Sequence, residues 1–292
     1  MSPSSKNYSG PEMATWRKAA LKHANHAMAG LLALTGLALF AKFMLRWQLP
    51  AGLPSMFVVL VVSSLLVRFW VRYERMRLVR EAALPQFLKR KLREIYPHLV
   101  QKDAELVERG LRQFFLACLR SHGKFVAMPS RVVDTMWHEF ILHTRAYGDW
   151  CNLALGRFVH HAPAEVLGKS AVHSSTNNGL RRAWYWACKD EAINPKAPTR
   201  LPLLFALDGK LGIANGFAYV PNCRGLKTAG DQGGSHVHCG ESFSDGSYSG
   251  DAGTFGGSDV GSDSGGGVSG SSDGDGGGGG GGDGGGGCGG GD

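Results

Sequence analysis

The sequence predicts an all-α protein made of an N-terminal transmembrane helical hairpin, a helical cytosolic domain and a disordered glycine-rich tail. Two apolar runs lie before residue 72, apolar residues recur at helical spacing through the middle of the chain, and 29 of the 43 glycines follow residue 228. Apolar and polar residues do not alternate at length, as they would in half-buried strands, and only residues 217–220 have a short extended pattern.

Charge divides the chain in the same way. Residues 1–228 carry all 32 Lys and Arg against 14 acidic residues, whereas residues 229–292 carry ten acidic residues and no Lys or Arg. The tail has too little apolar surface to offset the entropy of ordering, and without Arg it favours no nucleic-acid partner. The predicted organisation is a cytosolic segment at 1–26, the hairpin at 27–72, the helical domain at 73–228 and the tail at 229–292.

The hairpin prediction depends on two apolar runs at residues 27–45 and 50–71. Each is near the lower limit of about 17 to 20 residues that cross ~30 Å of hydrocarbon. Basic residues flank both outer ends, so the positive-inside rule places both termini in the cytoplasm. We therefore predict a two-span protein of the bacterial inner membrane. The alternative interpretation is a buried helical hairpin in a soluble protein.

A basic segment follows the second run. Basic and apolar residues are interleaved from Arg68 to Arg93. Such a segment is either a solvated helix face or a contact with anionic lipid headgroups, worth about 1 kcal/mol for each basic residue at the surface. Because it leaves the predicted membrane directly, we expect both, with the lipid bilayer as a partner.

Two helices carry the strongest apolar periodicity. In residues 102–121 the apolar positions include Val107, Leu111 and Phe114, and residues 131–155 form a second helix that Ser130 is suited to cap. Further helices are predicted at residues 163–169, 178–192 and 201–211. Three cysteines occupy apolar helical positions and are expected to be reduced core residues, namely Cys118, Cys151 and Cys188.

The helix at 131–155 also carries the candidate site. On a helical projection Trp137 lies on the apolar face, Asp134 and His138 share one flank, and Glu139 and His143 share the other. His138 and His143 are five residues apart, which excludes the HExxH zinc-protease geometry. A looser zinc or iron site would join Asp134 and His138 to His160 and His161. The alternative is a plain hydrogen-bonded pair of Asp134 and His138.

A family resemblance is carried by VVDTMWHEFILHTRAYGDWC with the following GRFVHH, and by LPLLFALDGKLGIANGFAY. Over about residues 125–225 these stretches resemble the glycine-rich domain-containing (DUF1399-like) proteins. Asp134, Trp137, His138 and His143 match the motif of that family, while Phe140 replaces its middle histidine. The resemblance implies a helical domain and names no reaction.

Two functions are consistent with these observations. The first is a non-enzymatic, membrane-anchored interaction module without a cofactor, which binds an unidentified protein partner while its acidic tail extends or masks its reach. The second is a metal-dependent enzyme or metal-binding protein that uses Asp134, His138, His160 and His161 with a divalent metal. Convergence of those four side chains on one point would favour the second.

Overall fold

A computed structural model describes residues 15–45, 53–162, 169–222, 237–245 and 257–259. Its helices are α1 (Thr15–Leu45), α2 (Leu53–Glu81), α3 (Gln86–Ile95), α4 (Gln101–Arg120), α5 (Arg131–Leu142), α6 (Thr144–Trp150), α7 (Lys169–Asp190), α8 (Leu203–Lys210) and α9 (Ser242–Asp245), with a π-helical turn at Cys151–Leu155. Its short strands are β1 (Val126–Ala127), β2 (His160–Ala162), β3 (Ala218–Val220), β4 (Val237–Cys239) and β5 (Gly257–Asp259).

The predicted transmembrane hairpin is wrong. Across the described parts of the chain, no helix combines the length and the apolar character needed to cross a membrane. The described part of the apolar runs at 27–45 and 50–71 lies in the longer helices α1 and α2, of which α1 begins with a charged turn and α2 ends with a charged stretch. Val71, Leu78 and Val79 of α2 are buried in the domain core. The predictions of two spans, an inner-membrane location and cytoplasmic termini, which depended on the hairpin, are corrected with it.

The core is assembled around α4 and α5, whose apolar faces carry large aromatic side chains. The ring of Trp137 lies 4.9 Å from that of Phe114, and the Phe115 ring lies 4.5 Å from that of Trp150. All four side chains are fully buried. Since one buried aromatic side chain contributes several kcal/mol, this cluster accounts for a large share of the stability of the domain.

The predicted helix at 131–155 is divided into three pieces. At His143 the backbone leaves the helical conformation, with φ −91° and ψ 62°, so α5 ends at Leu142 and α6 begins at Thr144. The π-helical turn continues α6 and ends at Gly156, where φ is +74°. L side chains rarely adopt that φ, which favours glycine, and the Arg75 guanidinium lies in the space that a Cβ would take.

A buried aspartate joins α8 to the start of α5. Asp208 is 2% exposed and accepts hydrogen bonds from the Ser130 hydroxyl and from three backbone N–H groups, those of Arg131, Val132 and Phe217. The first turn of a helix has unpaired N–H groups and a partial positive charge, and a carboxylate satisfies both. Asp208 therefore fixes where α5 begins.

Two small sheets complete the domain, and the all-α prediction missed them. The β5 strand pairs antiparallel with both β1 and β2, placing His161 opposite Ser258, and β3 pairs parallel with β4. The short extended piece predicted at 217–220 is confirmed as β3. Strands of two or three residues are too short to produce an alternating pattern, which is why the others gave no signal.

The cysteines differ between the core and the second sheet. Cys118, Cys151 and Cys188 are free and buried, as predicted, whereas Cys239 at the end of β4 is disulfide-bonded. The predicted helix at 178–192 corresponds to the second half of α7, and that at 201–211 to α8. The predicted helix at 163–169 lies almost wholly outside the described residues, as does the acidic tail apart from residues 237–245 and 257–259.

Candidate metal centre

The first half of the site is set by α5 alone. Ser130 caps the helix by accepting a hydrogen bond from the Val133 N–H, which fixes the register of the first turn. Asp134 and His138 are four residues apart and so share one flank of the helix, as predicted. The His138 Nδ1 lies 3.4 Å from the Asp134 Oδ2.

The other half comes from β2. The His161 Nε2 lies 3.0 Å from the Asp134 Oδ1, and the His161 ring lies 4.1 Å from the ring of His138. Asp134 therefore presents a different carboxylate oxygen to each imidazole. One donor atom from each of the three residues lies within 4.8 Å of the other two.

The cluster is enclosed on one side and open on the other. The His161 side chain is 11% exposed and that of Asp134 27%, whereas His138 is 50% exposed. The Trp137 ring packs 4.7 Å from the His161 ring and closes the inner side. Its Nε1 donates to the Tyr147 hydroxyl at 3.1 Å, and that hydroxyl donates to the Val159 carbonyl, just before β2. The core thus holds the inner wall in place, while solvent reaches the donor atoms past His138.

The remaining candidate histidines lie elsewhere. His160 is exposed and its ring packs 4.7 Å from that of Phe158, because consecutive strand residues point to opposite faces. His143 follows the end of α5, where its ring lies 3.9 Å from Phe87 and its Nδ1 donates to the Glu139 carbonyl. The structure therefore brings together three of the four candidate ligands and leaves out His160.

The donor set suits a first-row transition metal. Two imidazole nitrogens and one carboxylate oxygen form a ligand set used for zinc and for ferrous iron. Donors bound at about 2.0 to 2.2 Å around a tetrahedral ion are separated by roughly 3.3 to 3.5 Å. The nitrogen-to-oxygen separations of 3.0 Å and 3.4 Å are measured to different oxygens of Asp134, so one carboxylate oxygen must turn toward both imidazoles to complete such a set. The three side chains lie close enough together to hold one metal ion.

Comparison with known proteins adds a family. A family model described as UCP032817-like matches residues 74–243, more than half of the chain. The chain belongs to the UCP032817-like family. The UCP032817-like region contains the whole candidate centre, from Asp134 to His161. No match was found among curated proteins or among solved structures.

The resemblance to glycine-rich domain-containing proteins is corrected by this result. It depended mainly on the short pattern formed by Asp134, Trp137, His138 and His143. Trp137 is a core residue, His143 follows a helix end, and only Asp134 and His138 belong to the centre. A short pattern whose members serve such different purposes in one helix does not define a family.

Proposed function

We propose that the chain is a metal-binding protein whose functional centre holds one zinc or ferrous ion through Asp134, His138 and His161. The observation that carries this proposal is the convergence of three donor atoms within 4.8 Å, from two elements far apart in the sequence. Convergence favours the metal site over an interaction module. The predicted protein partner, the lipid headgroups and the absence of a nucleic-acid partner stay predictions.

The alternative is that Asp134 and its imidazoles form only a hydrogen-bonded structural cluster. His138 argues against this, because a side chain that is 50% exposed contributes little to stability through burial. An exposed pair of this kind is worth about 1 kcal/mol or less. A half-exposed His138 on the same carboxylate as the enclosed His161 is therefore better explained as a ligand than as packing.

The open side determines what such a centre can do. Three protein ligands leave coordination positions for water or for a substrate, which is typical of catalytic and exchangeable sites. An ion bound there would act as a Lewis acid and lower the pKa of a coordinated water. Trp137 and Tyr147 would keep His161 in a fixed orientation, and the half-exposed His138 would mark the approach for a substrate.

The test is metal stoichiometry in matched histidine variants. The full chain is stripped with chelator and titrated with Zn²⁺, and with Co²⁺ as a spectroscopic substitute, and bound metal is measured by mass spectrometry. The parent should bind one ion, and His161→Gln should weaken binding at least tenfold. His160→Gln is the control, because it removes the neighbouring imidazole on the opposite face of β2.

Two results would contradict the proposal. One is a parent that holds less than stoichiometric metal under saturating Zn²⁺. The other is equal loss of affinity in His160→Gln and His161→Gln, which would mean that metal binds to surface histidines without a built centre.

A further inference from the structure

A second candidate site lies away from the metal centre, in a cleft formed by α4, α8, the last turn of α2, the end of α7 and the segment that precedes α8. The cleft has a volume of about 500 Å³, within the range of small-molecule sites. Five of its lining residues are cationic, namely Arg80, Arg109, Arg112, Arg200 and Lys210. Sequence patterns did not predict this cleft, because its lining residues come from segments far apart in the chain.

The two acidic residues of the cleft, Asp190 and Glu191, already have partners. The Asp190 Oδ1 accepts from Arg80 at 2.5 Å and from Arg120 at 3.2 Å. Glu191 pairs through Oε2 with Arg200, and its Oε1 accepts from the Gln113 amide at 3.0 Å and from the backbone N–H that opens α8. These carboxylates hold the walls together and cannot also neutralise further cations.

Some cations of the cleft already have partners within the protein, and others have no acidic partner among the described residues. Arg112 is committed, since it donates to Glu108 and to the Val79 carbonyl. Arg109 and Lys210 are exposed, and within the described residues neither has a carboxylate within ion-pair distance. The cleft therefore has an excess of positive charge, and two of its cations are free to bind a ligand.

A close contact between α4 and α8 lies near those two cations in the sequence. Gly110 of α4 faces Leu207 of α8, and a Cβ on that glycine would lie 2.4 Å from the Leu207 Cδ1. Arg109 is adjacent to this contact in sequence, and Lys210 is the last residue of α8. Apolar side chains line the same cleft, including Leu106 and Leu116. Cations beside an apolar wall suit a ligand with both characters.

We propose that this cleft binds a small organic anion, whose carboxylate or phosphate group contacts Arg109 and Lys210 while a short apolar segment lies against Leu106 and Ala206, each one turn before one of these cations. Hydrogen bonds between ionised groups are about twice as strong as neutral ones, and Arg recognises carboxylate and phosphate through paired N–H donors. The inference is independent of the metal centre, since none of these residues is a metal ligand.

The test uses three probes of equal chain length: hexanoate, hexyl phosphate and uncharged hexanol. Each is titrated calorimetrically into the full chain and into Arg109→Gln, Lys210→Gln and the double variant. Hexanoate, hexyl phosphate or both should bind with one-to-one stoichiometry, at least tenfold tighter than hexanol. Each single variant should weaken that binding about threefold or more, and the double variant at least tenfold.

Arg145→Gln is the matched control, because it removes one exposed positive charge from α6, outside the cleft. Circular dichroism should show that all variants keep the parent fold, since the substituted side chains are exposed. Anion binding that is unchanged in Arg145→Gln supports the proposal, and the stronger of the two anionic probes identifies the preferred group. Hexanol binding as tightly as the anions, or an equal loss in Arg145→Gln, would overturn it.

Discussion

Two aspartates contact or belong to α5, and they are satisfied in different ways. Asp208 lies at the helix start, is fully buried, and accepts from three backbone N–H groups and one hydroxyl. Asp134 lies one turn further along and is partly exposed, and among the described residues its carboxylate pairs with the imidazoles of His138 and His161. The Asp208 carboxylate accepts hydrogen bonds mainly from backbone N–H groups, which every folded chain must satisfy. The Asp134 carboxylate contacts imidazoles, which are common metal ligands.

This difference in hydrogen-bond partners distinguishes a residue that stabilises the fold, Asp208, from a candidate site residue, Asp134. A buried carboxylate held by backbone donors cannot leave them without breaking the fold, because unsatisfied buried polar groups are costly. A partly exposed carboxylate held by two imidazoles can exchange those contacts for a shared ion at little cost. The predictions below test whether stability and metal binding divide along this line.

The largest effect is expected for Trp137→Ala. Trp137 is fully buried, packs on Phe114 and Phe115, and donates a hydrogen bond to Tyr147. Its loss should lower the free energy of unfolding by about 4 kcal/mol, measured by urea denaturation. His138→Gln, one residue along, should cost under about 1 kcal/mol. Similar losses in both variants would mean that His138 is a core residue.

Asp208→Ala should come next. Removing the carboxylate leaves the start of α5 and the Phe217 N–H without their acceptor, so we expect a loss of about 3 kcal/mol in the free energy of unfolding. Metal stoichiometry of the folded fraction should stay at the parent value. If the urea midpoint of unfolding equals that of the parent, water replaces the carboxylate at no cost. Asp208 would then not be a structural residue, and its proposed difference from Asp134 would be wrong.

Asp134→Asn should show the reverse pattern. The amide retains the size of the side chain, so stability should change by less than about 1 kcal/mol, but the anionic ligand is lost. Zn²⁺ affinity should fall at least tenfold in a chelator-competition assay. Unchanged affinity would remove Asp134 from the ligand set.

The smallest effect is expected for the reactivity of the buried core thiols, which stabilise the fold and take no part in the metal centre. Burial raises the pKa of Cys151 to about 11, which lowers the thiolate fraction at neutral pH. We expect negligible iodoacetamide labelling of Cys151 in the folded chain at pH 8 and rapid labelling in urea, measured by peptide mass spectrometry. Labelling of the folded chain should rise only as the pH approaches 11. Rapid labelling at pH 8 would indicate that this part of the core opens easily.

Local pattern accounts for what the sequence predicted correctly. The periodicity around Trp137 identified the apolar face of α5, and its i, i+4 spacing placed Asp134 beside His138. Periodicity did not distinguish His160 from His161, because their faces are set by pairing with β5, whose residues follow almost 100 positions later. The Asp208 anchor and the basic cleft were missed for the same reason, since their partners lie on other segments.

The prediction of a transmembrane hairpin was wrong for a different reason. Apolar runs at 27–45 and 50–71 were treated as isolated segments, although each continues into a charged stretch of the same helix. The apolar side of the charged stretch of α2 is then buried by α4 and by the π-helical turn, which the run itself does not reveal. The apolar composition of a sequence segment does not show which neighbouring element covers the apolar face of a helix.

The register of β2 gives the chain an asymmetric tolerance to changes in length. His160 and His161 occupy consecutive positions, with His161 opposite Ser258 and facing Asp134. If one residue inserted between α6 and β2 shifts the strand by one position along β5, His160 takes the place of His161 and the imidazole is preserved. One residue deleted there would bring Ala162 into that place and remove a ligand. Insertions in this loop are therefore expected among relatives that keep the centre, and single deletions are not.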